Sequence, residues 1–170
     1  MKRHVSLNLV VVLVLSVALG AQQQASPVAD AAMRGDKAAV RDLLKQGADV
    51  NGAQGDGMSA LHWAAERGDA ELADMLIYAG ANIAAVTRIG QYTPLHLAGK
   101  SGSAPVTKAL VKAGADVNAR TTNSGVTALH MAASSGSAEV VNILADAKAD
   151  INAKEAEAGQ TPLIFAAGLN

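Results

Sequence analysis

The chain has 170 residues, half of them apolar, yet only one Trp, two Tyr and one Phe. It has no Cys, so disulfides, thiolate metal sites, Cys nucleophiles and a lipid-modified N-terminal Cys are excluded. Fourteen basic residues against fifteen acidic ones give a formal charge of −1, which leaves no electrostatic footprint for nucleic acid.

The first element is an address. Met1-Lys2-Arg3-His4 is a short positive start, followed by an apolar run from Leu9 to Leu19. Ala18-Leu19-Gly20 places small residues before a possible cut, and polar Gln22, Gln23 and Gln24 come next. This is the layout of a secretory signal peptide over residues 1–20, with the mature chain starting near Ala21. The run is shorter than the ~20 residues of a membrane span, so no stable membrane insertion is expected after cleavage. Residues 21–25 read as a short linker. Without Lys2 and Arg3, the mature chain carries a formal charge of −3.

From Ser26 onward the sequence repeats itself. SALHWAAERGDAEL from Ser59, TPLHLAGKSGSAPV from Thr93 and TALHMAASSGSAEV from Thr127 align without gaps. SPVADAAMRGD from Ser26 matches them without the histidine, and TPLIFAAGLN from Thr161 runs to the terminus. The second halves repeat as GADVN from Gly47, GANIA from Gly80, GADVN from Gly114 and KADIN from Lys148. The first step is 33 residues and the later ones 34, which predicts one extra residue in each later connecting finger.

Each unit has a physical reading. Thr93 or Thr161 stands at a helix N-cap, and Pro94 or Pro162 follows at the first helical position, where no N–H is needed. Gly68, Gly102 or Gly136 then ends the first helix. A second helix carries Leu43 and Leu44, Leu76 and Ile77, Leu110 and Val111, or Ile143 and Leu144. Gly47, Gly80 or Gly114 ends it, and an extended finger leads onward. Pro105 falls in a first helical turn, where it is tolerated. Pairs such as Ala64-Ala65 and Ala132-Ala133 keep the first helices thin enough for close stacking. Two positions depart from the pattern. Gly99 replaces the second Ala and reads as a cost of roughly 0.5–1 kcal/mol. Lys148 stands where the others have Gly, and a positive φ there would cost about 1–2 kcal/mol.

The period and the T-P-L-H-x-A core resemble the ankyrin repeat. The resemblance spans residues 26–170 as four full repeats and a truncated fifth. It implies an all-α solenoid of stacked helix-turn-helix units with β-hairpin-like finger loops. It also implies a non-enzymatic interaction module that binds a protein through its concave face, and a structural role for His62, His96 and His130 with Thr93 and Pro94.

The histidines invite a metal reading, but in a solenoid they lie one unit apart, on the order of 10 Å. A metal takes ligands at about 2 Å, so no metal and no cofactor is expected. His62 and Glu66, four apart on one helix, lack a third ligand. No serine stands in a nucleophile elbow, and the glycines are helix stops at the repeat period, not a phosphate loop.

Scaffold positions repeat from unit to unit, and contact positions need not. On the fingers the non-repeating residues are Gln54, Asp56 and Met58; Arg88, Gln91 and Tyr92; Arg120, Asn123 and Val126; and Glu155, Glu157 and Gln160. On the first helices they are Trp63, Glu66 and Arg67; Lys100 and Ser101; and Ser134 and Ser135. Among these, Trp63, Glu66, Arg67, Arg88, Gln91, Tyr92, Lys100, Arg120 and Asn123 are the candidate partner contacts. Trp63 and Tyr92 lead, because rigid aromatics dominate interface energies. The chain reads as a monomeric, exported, bacterial binding module, periplasmic or secreted. An alternative is a regulatory or targeting segment of a larger protein whose catalytic domain lies beyond residue 170. The array stops after a first helix, with Asn170 at the helix-ending position and Ile164 and Phe165 where other units have His and its neighbour. This is the reading that makes the chain a fragment.

Overall fold

A computed structural model describes residues 26–168. The leader, the linker and Asn170 lie outside the described residues. Nine helices occur among those described: α1 Pro27–Arg34, α2 Lys37–Lys45, α3 Ala60–Glu66, α4 Ala70–Tyr78, α5 Pro94–Ser101, α6 Ala104–Lys112, α7 Ala128–Ser134, α8 Ala138–Asp146 and α9 Pro162–Ala167. None is long and apolar enough to cross a membrane. The described residues contain no β-strand, only an isolated antiparallel bridge between Ala53 and Ser59.

The architecture follows from where each helix stops. The first helices end at Gly35, Gly68, Gly102 and Gly136, all at φ between 66° and 73°. That left-handed turn reverses the chain with no Cβ to obstruct it. Asp36, Asp69 and Ser137 then cap the second helices by accepting the N–H of Ala39, Leu72 and Val140. The first helices stack in the order α1, α3, α5, α7, α9, and α4, α6 and α8 form a second layer. The core between the layers is built from small and branched residues: Leu61, Leu95 and Leu129 from the first helices, and Leu72, Leu110 and Leu144 from the second. Pro105 lies in the first turn of α6.

The extra finger residue is visible in the backbone. The first finger closes with Gln54 N–H donating to the Met58 carbonyl. The later three close one residue wider, Thr87 to Tyr92, Thr121 to Val126 and Glu155 to Gln160. The fingers also join one another. Arg88, Thr122 and Ala156 donate their N–H groups to the carbonyls of Asp56, Gly90 and Ser124 at 2.7, 3.0 and 2.7 Å. Insertion lengthened the fingers without breaking this row, as expected of loops that close on themselves.

Gly99 corrects the sequence reading. An added Cβ there would lie 2.6 Å from the Ala128 carbonyl oxygen at the start of α7. Glycine is what lets α5 and α7 approach, not a mere loss of helix propensity. Lys148 does take a positive φ of 69°, and so does Gln91 at 52°.

A second departure concerns an asparagine. Asn51 accepts from Asn82 N–H at 2.7 Å and donates to the Gly80 carbonyl at 3.4 Å. Asn118 does the same with Asp150 N–H and the Lys148 carbonyl. The equivalent residue in between is Ala84, whose counterpart groups are Asp116 N–H and the Gly114 carbonyl. Ala84→Asn is expected to complete the series and stabilise the array by about 1 kcal/mol. Urea denaturation checks this, and an unchanged or lower midpoint contradicts it.

At the far end, Leu163 is 78% exposed, whereas Leu61, Leu95 and Leu129 in the same register are at most 2% exposed. With Ile151, Pro162 and Val141 it lines an uncharged groove of about 520 Å³.

Candidate functional site: a groove between fingers and first helices

The fingers are held to the first helices by the three histidines, which are fully buried. Their tautomer follows from their partners. His62 Nδ1 faces Ser59 N–H at 3.2 Å, His96 Nδ1 faces Thr93 N–H at 3.2 Å and His130 Nδ1 faces Thr127 N–H at 3.3 Å. A backbone N–H can only donate, so Nδ1 accepts and the ring proton sits on Nε2. Nε2 then donates to a carbonyl of the next finger: Tyr92 at 2.9 Å, Val126 at 3.2 Å and Gln160 at 3.1 Å. Each neutral imidazole therefore ties a helix N-terminus to the following repeat.

Burial pushes all three imidazoles below their ordinary pKa of 6.5. The unfolded chain consequently binds more protons than the native one below that pH. Stability is full above about pH 6.5 and declines as pH falls from there toward the depressed native values. Glu155 adds to the loss at lower pH. Its carboxylate accepts the N–H groups of Gln160, Glu157 and Ala158 at 2.7–2.8 Å, which holds it below the usual 4.5. Melting temperature is expected to fall between pH 7 and 5, and the fall is expected to be smaller in His130→Gln. A flat profile over that range contradicts it.

With the fingers fixed, a groove forms between them and the first helices. Trp63, half-buried on α3, donates its indole N–H to Gln54 Oε1 at 2.9 Å, and Gln54 Nε2 donates to Asp30 Oδ1 at 2.6 Å. Tyr92 lies edge-on to His96, with ring centroids 6.1 Å apart. It also packs over Gly90, where an added Cβ would lie 2.5 Å from the ring. Glu66 on α3 and Lys100 on α5 form an ion pair of 2.9 Å across the repeat boundary. Trp63, Glu66, Tyr92 and Lys100 line one groove of about 540 Å³ with Asp56, Met58, Thr87, Ile89, Leu97 and Met131.

The other candidates go elsewhere. Arg67 reaches back to the Met33 carbonyl at 3.3 Å and lies against Gly35. Arg120 donates to the carbonyls of Gly125 at 3.1 Å and Lys154 at 2.8 Å, bridging two fingers. Arg88, Gln91 and Asn123 are exposed on the fingers but do not line the groove. Four groove residues were missed by sequence reasoning: Thr87, Ile89, Leu97 and Met131. Leu97 and Met131 occupy the same variable position as Trp63 in their own repeats, and that column was the available signal. Ile89 had none beyond being a large apolar residue on a finger, where it is 75% exposed.

Among the described residues, no group of three or more His, Asp or Glu is placed to hold a metal ion. The groove instead offers aromatic and aliphatic surface, one internally neutralised ion pair, and Asp56, which forms no ion pair among the described residues.

No curated protein matches the chain. A family model described as ankyrin repeats in three copies matches residues 4–87, 28–121, 85–155 and 121–170. Ankyrin repeats are generally protein–protein interaction modules, and this chain belongs to the ankyrin repeat family.

Proposed function

We propose that the array is a non-enzymatic scaffold that binds a protein partner reversibly through its concave groove, and that it works outside the cytoplasm once the leader is removed. The observation that carries the first part is the convergence of half-buried Trp63, Tyr92 and Met131 on one open groove, above the buried Leu97. Large apolar side chains on a rigid, solvent-open surface are what a partner's anchor residues bury. The second part rests on the N-terminal layout of positive start, apolar run and small-residue cut.

The test uses the mature chain as bait in extracts of the producing cells. The double variant Trp63→Ala, Tyr92→Ala is expected to weaken capture by about thirtyfold, the scale of losing a 2 kcal/mol hot spot. Its helical circular dichroism is expected to persist. If melting collapses while capture by the remaining folded protein is unchanged, the two rings are packing residues and the groove is not the site.

A further inference from the structure

The chemistry of the groove narrows what it can hold. A volume of about 540 Å³ falls inside the ~300–1,000 Å³ of clefts that take small ligands, so it suits a few residues of peptide and not a whole helix. The apolar floor of Trp63, Leu97 and Met131 calls for one bulky apolar side chain. The rim calls for a cation. Lys100 is already neutralised by Glu66 at 2.9 Å. Asp56 is exposed, lines the groove, and makes no ion pair among the described residues. One of its oxygens accepts Met58 N–H at 2.9 Å, which fixes the carboxylate on its finger. Arg88, joined to Asp56 through the backbone, does not line the groove. The ring faces of Trp63 and Tyr92 also favour a guanidinium or ammonium group. The mature chain as a whole carries a formal charge of −3, which acts in the same direction.

We infer that the groove takes a short basic–apolar segment, a bulky apolar residue flanked by Arg or Lys, with the apolar side chain over Trp63 and a cation on Asp56. This rests on the concave-face reading and specifies the partner's chemistry at that site.

Trp63 is the chain's single tryptophan, so its fluorescence reports occupancy directly. The probes are three capped pentapeptides titrated into the mature chain: Gly-Arg-Phe-Arg-Gly, its Glu-for-Arg version and its Ala-for-Phe version. The basic peptide is expected to shift Trp63 emission and to bind about three- to fivefold tighter than the acidic one, the range of an exposed ion pair. That preference is expected to vanish in Asp56→Asn, which keeps the oxygen that accepts Met58 N–H, and to shrink with added salt. The Ala version is expected to leave the emission unchanged. Equal or tighter binding of the acidic peptide, with Trp63 responding, overturns the charge assignment while leaving the groove as a binding site. No response to any of the three peptides overturns the inference itself, and capture by the Trp63→Ala, Tyr92→Ala variant still decides the concave-face reading separately. A basic preference that survives in Asp56→Asn overturns the role given to Asp56.

Discussion

Replacing His96 by alanine is expected to destabilise the array by about 3–5 kcal/mol, a large share of the ~5–15 kcal/mol that holds a typical domain. The substitution empties a fully buried imidazole site in the middle of the stack. It also leaves Thr93 N–H without its 3.2 Å acceptor and the Val126 carbonyl without its 3.2 Å donor. The orphaned Thr93 N–H adds a desolvation cost on the order of 1–3 kcal/mol, while the Val126 carbonyl keeps Thr121 N–H at 3.0 Å. Because Nε2 is the link from α5 to the following finger, the loss falls on the boundary between two repeats. His96→Gln keeps a donor and an acceptor and is expected to recover part of the stability. Urea midpoints of the three proteins check this, and a loss under 1 kcal/mol for His96→Ala would contradict the role given to the histidine.

Gly99→Ala is expected to destabilise the chain by about 1–3 kcal/mol, although alanine is the better helix former. Propensity alone favours alanine by roughly 0.5–1 kcal/mol. Against that stands a Cβ 2.6 Å from the Ala128 carbonyl oxygen and 3.4 Å from Ala132 N. Both are backbone atoms of α7, so no side-chain rotation can relieve the contact, and overpacking of this kind outweighs the propensity gain. Circular dichroism melts distinguish the outcomes. A higher melting temperature for Gly99→Ala would mean that α5 and α7 separate easily.

Much of the fold was legible because each unit repeats its own punctuation. The glycines at 68, 102 and 136 share a spacing that only a turn requirement explains, and their φ values lie between 66° and 73°. The step from 33 to 34 residues became the wider closure of the later fingers. Gly99 was misjudged because one sequence shows a residue's own helix and not the distance to the next. The arginines illustrate a related limit. Arg67 and Arg120 look as free as Arg88 in the sequence, yet their partners are backbone carbonyls 34 residues away at Met33 and Lys154. A carbonyl carries no sequence signature, so nothing in the residue string separates a stapled arginine from an available one. The groove was half legible for a similar reason. Trp63 and Tyr92 stand out in a chain with four aromatics, whereas Leu97 is a buried core residue that also floors the groove, and Met131 reads as one more apolar helix residue until the helix face is known. Ala84 shows the reverse, since its meaning appeared only once Asn51 and Asn118 were seen bridging repeats.

Taken together, these features describe an array whose buried residues hold neighbouring repeats in register and four of whose variable residues, Trp63, Glu66, Tyr92 and Lys100, line one groove. The partner is expected to occupy that groove. Amide hydrogen exchange of the mature chain, free and with its captured partner, tests it most directly. Slower exchange on binding is expected in the fingers around residues 54–58 and 87–92 and along α3 and α5, with α2, α4 and α6 unchanged. Protection confined to α2, α4 and α6, with the fingers exchanging as in the free chain, would place the partner on the opposite face and contradict the account.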